Sequence, residues 1–294
     1  MDREEYITQG LMRHIEEFEK YYPDLEMFIL VLQGSQNYGL DIYTDEYKSD
    51  IDTKVIVIPS LEDVVMNKKP ISTTHVLPNN EHLDIKDIRL YFDNFKKQNI
   101  NFIEILFSHY YIVNPKYRDL WEELRGGRED IAHYNTNQAL RCMSGMSMEK
   151  RKALCHPYPS LIDKIEKYGY DGKQLHHIIR MYDFIYAYTH NNLYEECLKY
   201  LPHREMMMKA KLNEYTLEEA LQLADYFDNQ TKELKDFYLL KEDVINQSAL
   251  DLLNKIQYNV IRRNLKNEIL AEEVGRKWYI YLVIYILLIM LVRS

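Results

Sequence analysis

Two short apolar runs, separated by a turn of small and polar residues, constrain the fold of this chain more than any other feature. The runs at residues 27–32 and 55–58 predict buried strands at 26–33 and 51–58. Gly34 and Ser35 directly follow the first run, and Asp50 and Asp52 precede the second. Because side chains alternate along a strand, we expect both carboxylates on one face and Ile51 on the other.

The rest of the chain divides into a part with strands and a part made of helices. An amphipathic helix is predicted at 3–20, and further strands are predicted at 73–77 and 82–86. From residue 88 onward the apolar period is helical. We therefore predict an α+β chain with a small mixed β-sheet domain and flanking helices, followed by an all-helical domain. The predicted divisions are a sheet domain at 1–112, a helical domain at 113–266 and a C-terminal apolar tail at 267–294.

Composition excludes several classes of protein. The 294 residues suffice for roughly two domains, and the net charge of −9 weighs against holding a long nucleic acid by its phosphates. The three cysteines are far apart and form no CxxC pair, so neither a zinc site nor a disulfide framework is expected. The first residues are acidic and contain no apolar signal segment, which favours a cytoplasmic location.

The run at 278–292 leaves two interpretations open. It is uninterrupted and apolar, with Arg276 and Lys277 before it and Arg293 after it. As a helix, fifteen residues span about 22 Å, which is shorter than the hydrocarbon core of about 30 Å. Its tyrosines and tryptophan suit a membrane interface. The segment is therefore either a buried element or a membrane-associated tail.

The acidic pair and the preceding turn suggest a site for a triphosphate. A turn with free N–H groups beside convergent carboxylates suits phosphates and their magnesium ions. Gly34 permits close approach of the backbone, and Ser35 supplies a hydroxyl and an N–H. We expect a third carboxylate from a later strand, at Asp84. Its competitor, Asp87, is interpreted as a helix cap. A lone DxD is usually a solvated pair, but this combination favours a metal site.

Basic residues in the helical part form a second constellation. Lys173, His177 and Arg180 share one helix face at positions i, i+4 and i+7. Facing a cleft, they would neutralise a triphosphate and its leaving group, whereas the alternative is a solvated basic face. Glu104 lies in an apolar segment and must be paired or hydrogen-bonded if it is buried. It either supports the metal site, pairs with Arg180 or lies on a helix surface.

Several strings resemble a known family. GSQNYGL at 34–40 and SDID at 49–52 resemble the signature of the DNA polymerase beta-like nucleotidyltransferase superfamily. The closest branch is that of predicted nucleotidyltransferases grouped with the RNA-repair-pathway polymerase beta family. NFIEILF at 101–107 and YGYDGKQLHHIIR at 168–180 extend the likeness, which covers roughly residues 25–260. The loop between Tyr38 and Ser49 is a little longer than is usual in that branch.

The resemblance implies a metal-dependent enzyme that moves a nucleoside monophosphate from an NTP to an acceptor hydroxyl. The acceptor would be an RNA or tRNA end, a small molecule or a protein. Two magnesium ions are implied, with the catalytic and metal-binding carboxylates at Asp50, Asp52 and Asp84. The residues expected to bind the nucleotide are Gly34, Ser35, Lys173, His177 and Arg180. The alternative is a catalytically inactive nucleotide-binding or regulatory interaction module of the same fold.

Overall fold

The fold is built around one five-stranded mixed sheet. The computed structural model describes residues 2–159, 161–190 and 193–274, together with the backbone of the last helix as far as Val292. The strands are β1 (Glu26–Gln33), β2 (Asp52–Ile58), β3 (Ser72–Val76), β4 (His82–Asp87) and β5 (Tyr111–Val113). Their order is β3-β4-β2-β1-β5, in which only β2 and β4 are parallel neighbours. The predicted α+β class with a mixed sheet is confirmed.

Helices surround the sheet and continue beyond it. Those in the first part are α1 (Arg3–Tyr21), α2 (Leu61–Val65), α3 (Ile88–Lys96) and α4 (Ile100–Ile103). The remainder are α5 (Arg118–Gly126), α6 (Arg128–Ala132), α7 (Thr136–Ala153), α8 (Ile162–Tyr168), α9 (Gly172–Thr189), α10 (Tyr194–Lys199), α11 (Arg204–Lys211), α12 (Leu217–Tyr238) and α13 (Gln247–Val292). The helices α6, α8 and α11 have eight residues or fewer, too short for a helical period to stand out in the sequence.

The antiparallel pairing of β1 with β2 sets the position of the predicted site. Gln33, the last residue of β1, lies opposite Asp52, the first residue of β2. The turn that leaves β1 and the acidic pair that enters β2 therefore meet at one edge of the sheet. Sequence patterns predict each strand separately, but only this register brings their ends together.

Two apolar layers cover the sheet because its central strands are buried on both faces. On one face, Ile7 and Phe18 of α1 pack with Leu30 and Val55. On the other face, a larger cluster joins the sheet to α3, α5, α9 and α13. This cluster contains residues from both sides of position 112, which lies within β5. The two predicted domains therefore share a core.

Side chains cap the first turns of α3 and α12. The carboxylate of Asp87 accepts the N–H of Arg89 and caps α3, as predicted. Thr216 and Glu219 form a capping box at the start of α12. Within the described part of the chain, no helix has the length and apolar character needed to cross a bilayer. The run at 278–292 lies outside the residues whose side chains are described, so both interpretations of it stay open.

Candidate active site between the sheet and the helical part

A cavity of about 400 Å³ lies between the edge of the sheet and helix α9. Its walls come from the turn after β1, the start of β2, α4 and several helices of the C-terminal part. The charged residues that line it are Asp50, Asp52, Glu104, Lys150, Lys164, Lys173, Arg180 and Lys211. The cavity thus brings predicted site residues from both parts of the chain to one place, with a surplus of positive charge.

The turn after β1 is rigid and offers free donors. Gly34 has φ +109° and ψ −161°, a conformation that residues with a Cβ rarely adopt. Residues Ser35–Asn37 form a single 3₁₀ turn. The side-chain amide of Gln36 (Nε2) donates to the backbone carbonyl of Asp50 at 2.6 Å. None of the hydrogen bonds among the described residues uses the N–H of Ser35 or of Gln36. Adjacent free N–H groups at a tight turn are suited to an anion.

Asp50 and Asp52 both line the cavity. Partial burial raises the pKa of Asp50 above its ordinary value, and the nearby charge of Asp52 raises it further. Lys173 acts in the opposite direction on the same carboxyl. One oxygen of Asp52 accepts the N–H of His82 at 2.9 Å, and the ring Nδ1 of His82 lies 3.1 Å from it. The acids are therefore close enough to repel each other, an arrangement that a cation would stabilise.

The predicted third carboxylate does not join them. Asp84 is not among the residues that line the cavity, and its Oδ2 lies 3.0 Å from Nζ of Lys54. The cause is the parallel register of β2 and β4, which pairs Asp84 with Lys54 rather than with Asp52. Among the described residues there is no group of three His, Cys, Asp or Glu side chains arranged to hold a metal ion. Of the three predicted carboxylates, Asp50 and Asp52 therefore line the cavity and Asp84 does not.

The donor set that remains still fits magnesium bound together with a nucleotide. Magnesium binds through one or two carboxylates plus substrate phosphates and keeps several waters. Asp50 and Asp52 supply the carboxylates, and the free N–H groups at Ser35 and Gln36 lie on the same cavity wall. These residues thus fit a metal–nucleotide complex better than a metal held by protein ligands alone.

The predicted basic stripe on α9 divides into two kinds of residue. Lys173 is exposed, lines the cavity and interacts with the charge of Asp50. His177 lines the cavity too, but burial lowers its pKa well below the ordinary value, and His176 and Arg180 lower it further. This lowered pKa disfavours the charged imidazolium expected at His177 from the sequence.

Arg180 is held on both sides inside the protein. Its guanidinium lies 3.2 Å from Glu104 and 3.6 Å from the ring centre of Tyr38. Both charged side chains are almost fully buried, with 4% of Arg180 and 3% of Glu104 exposed. Of the alternatives for Glu104, the structure therefore shows the pair with Arg180. The charge of Arg180 is largely compensated, and its position links α9 to the turn that carries Tyr38.

Several lining residues were not predicted from the sequence, among them three lysines and a tyrosine. Lys150, Lys164 and Lys211 come from α7, α8 and α11, and Tyr47 comes from the loop before the acidic pair. Nζ of Lys211 donates to the carbonyl of Leu40 at 2.9 Å, which ties α11 to the end of the turn. No local pattern marks these lysines, because they are separated by up to sixty residues and converge only through helix packing.

No family model, no curated protein and no solved structure matches this chain. The likeness of its motifs to a family therefore stays a resemblance, and function must be argued from the geometry of the cavity.

Proposed function

We propose that this protein is a magnesium-dependent nucleotidyltransferase, which transfers a nucleoside monophosphate from an NTP to an acceptor hydroxyl. The observation that carries the proposal is the meeting of a turn with free N–H groups and an acidic pair in one cavity lined by lysines. Such a cavity has complementary groups for the metal and for the phosphates, which are the two charged parts of the substrate.

Each group has a role in this reaction. Asp50 and Asp52 would hold magnesium, which supplies positive charge at the attacking and leaving oxygens. The N–H groups at Ser35 and Gln36 bind phosphate oxygens and orient the triphosphate, and Gly34 allows the backbone to approach closely. Lys173, next to Asp50, stabilises negative charge on the departing pyrophosphate. Burial lowers the pKa of His177, which favours a hydrogen-bonding role over charge compensation.

The acceptor class is narrowed by charge. With a net charge of −9, the chain lacks the extended basic surface that holds a long duplex by its phosphates. An RNA or tRNA end, a small molecule or a protein hydroxyl needs only a local basic patch, which the lysines of the cavity supply. We therefore propose an acceptor from these classes.

Incubation with each labelled NTP, magnesium and total cellular RNA or protein tests the proposal. The Asp50→Asn/Asp52→Asn double variant removes the metal ligands, and Asp119→Asn is the matched control. Asp119 is an exposed acid paired with Arg263 outside the cavity. We expect the wild type and the control to label an acceptor and the double variant to lose labelling by at least about 10³-fold. Equal labelling by all three proteins would refute the proposal.

One observation favours a second candidate, a nucleotide-binding or regulatory module without turnover. Asp84 lies 3.0 Å from Lys54 and is not among the residues that line the cavity, so the cavity holds only two of the three predicted metal ligands. In such a module the same residues bind a magnesium–nucleotide complex and no transfer follows. Calorimetric titration with each NTP and magnesium separates the two candidates, since binding without labelling of any acceptor supports the module.

The apolar run at 278–292 bears on location. Its aromatic residues and basic flank suit association with a membrane surface or interface. Fractionation of the full-length protein and of a variant ending at Lys277 tests this. Equal partition of both proteins between membrane and aqueous fractions would eliminate membrane association through this segment.

A further inference from the structure

A buried carboxylate lies directly behind the acidic pair and is not part of the cavity wall. Glu81 is 2% exposed and lies just before β4, at the tip of the hairpin that connects β3 to β4. One of its oxygens accepts the N–H of Ile51 at 3.2 Å. Ile51 is the residue between Asp50 and Asp52, so this hydrogen bond holds the backbone from which both acids project.

Glu81 is itself held by the first helix. Nη2 of Arg13 donates to its two oxygens at 2.8 and 3.1 Å, and Nε2 of His14 lies 3.2 Å from one of them. The other ring nitrogen of His14 lies 2.7 Å from the hydroxyl of Thr53, the residue after the acidic pair. A network from α1 to β2 therefore leaves the carboxylate of Glu81 little freedom to move.

Packing restricts the same segment from the apolar side. The side chain of Ile51 is fully buried, and a Cβ added to Gly10 of α1 would lie 2.8 Å from it. On the polar side, His82 follows Glu81 and donates its N–H to Asp52. Glu81 thus holds the backbone between the two acids, and the next residue, His82, holds the side chain of Asp52.

Burial raises the pKa of Glu81, but hydrogen bonds with His14 and Arg13 outweigh burial and lower that pKa to about 2, so the charge of Glu81 is compensated. Burial and the charge of Asp52 raise the pKa of Asp50, and the charge of Glu81 adds a smaller contribution. An apolar side chain of similar volume commonly fills a buried position at no loss of stability. A carboxylate adds an acceptor for the N–H of Ile51, which an apolar side chain lacks.

We propose that Glu81 is a positioning residue, which fixes the direction of Asp50 and Asp52 through the backbone of Ile51. The inference rests on the proposed function, because it assigns Glu81 to the metal–nucleotide site. Partners that orient metal-binding groups from behind typically change metal affinity or activity by about 10- to 100-fold when they are replaced.

Two variants of the full-length protein test the proposal, Glu81→Ala and Glu81→Gln. The glutamine keeps an oxygen that can accept the N–H of Ile51, whereas alanine does not. Asp183→Asn is the matched control, since Asp183 is also a fully buried carboxylate that binds a histidine ring and a backbone N–H, both of His203. Asp183 does not line the cavity. Thermal unfolding of each variant establishes how much stability is lost.

The first measurement is the binding of Mn²⁺ in the presence of a non-hydrolysable ATP analogue, by electron paramagnetic resonance, which does not depend on turnover. We expect Glu81→Ala to weaken Mn²⁺ affinity at least about tenfold, Glu81→Gln to weaken it less, and Asp183→Asn to leave it unchanged. The second is NTP turnover, in which Glu81→Ala lowers kcat about 10- to 100-fold, with KM for the NTP within about threefold.

The outcomes separate the two proposals. Wild-type Mn²⁺ affinity in a folded Glu81 variant would overturn the positioning role, whether or not the protein transfers nucleotides. A parallel loss of affinity in Asp183→Asn would overturn it too, because the effect would then follow stability alone. Weakened Mn²⁺ binding in the Glu81 variants, in a protein without any turnover, would support the positioning role and refute the transferase.

Discussion

Replacing Glu104 by glutamine perturbs the contact that joins the helical part to the turn after β1. The carboxylate of Glu104 lies 3.2 Å from Arg180, and both side chains are at least 96% buried. Burial opposes the charge of Arg180, and the proximity of Tyr38 and Glu104 stabilises it. In Glu104→Gln the guanidinium stays buried without its counter-ion, which is far more costly than losing an exposed ion pair.

The expected magnitude follows from these contacts. Removing one partner of a buried pair costs about 3–5 kcal/mol of unfolding free energy. The ring of Tyr38 remains beneath the guanidinium in both proteins, so this contact does not change the difference between them. The expected loss is therefore about 3–5 kcal/mol, which lowers Tm by about 6–20 °C in a protein of this size.

Thermal and urea unfolding, followed by circular dichroism, measure this loss. The control is Asp119→Asn, which breaks an ion pair with Arg263 at the surface, where solvent screening limits the loss to less than about 1 kcal/mol. The double variant Glu104→Gln/Arg180→Met removes the unpaired charge and should recover part of the stability. A Tm for Glu104→Gln equal to that of the control would refute the reasoning that Arg180 depends on this carboxylate.

Three further predictions concern backbone strain, pH and the third acid. Gly34→Ala should cost about 1–3 kcal/mol of unfolding free energy because of its φ of +109°, while Gly145→Ala, inside α7, should add about 0.5–1 kcal/mol. Urea unfolding of both variants measures these opposite changes in unfolding free energy. A loss of stability in both variants would contradict the assignment of strain to Gly34. Burial lowers the pKa of His176 from 6.5 to about 4, so the unfolded chain takes up its proton first as the pH falls. The wild type should therefore lose up to about 3 kcal/mol more than His176→Gln between pH 6.5 and 4, and parallel pH profiles would contradict this. Asp84→Asn should lower stability by about 1–3 kcal/mol, because Lys54 is buried, yet change NTP turnover less than tenfold. A loss of turnover as large as that of the Asp50→Asn/Asp52→Asn variant would show that Asp84 belongs to the site.

Features that depend on neighbours in sequence were readable from the chain. The uninterrupted apolar run at residues 27–32 predicts β1 with the bounds that the structure has. Asp87 was recognised as a cap because capping depends on an N–H two residues away. The predicted strand at 51–58 is one residue too long, because β2 begins at Asp52 and Asp50 precedes it. The α+β class follows from these local patterns.

The tertiary structure determines which of these locally predicted residues lie close together. The register of β2 with β4 placed Lys54 beside Asp84, and a shift of two residues would have placed Asp84 beside Asp52. Residues distant in sequence, such as Glu81 and Lys211, reach the acidic pair and the turn only through a hairpin tip and a packed helix. Strand register and helix packing are set by the burial of apolar side chains summed over the whole core, and no short segment carries that information.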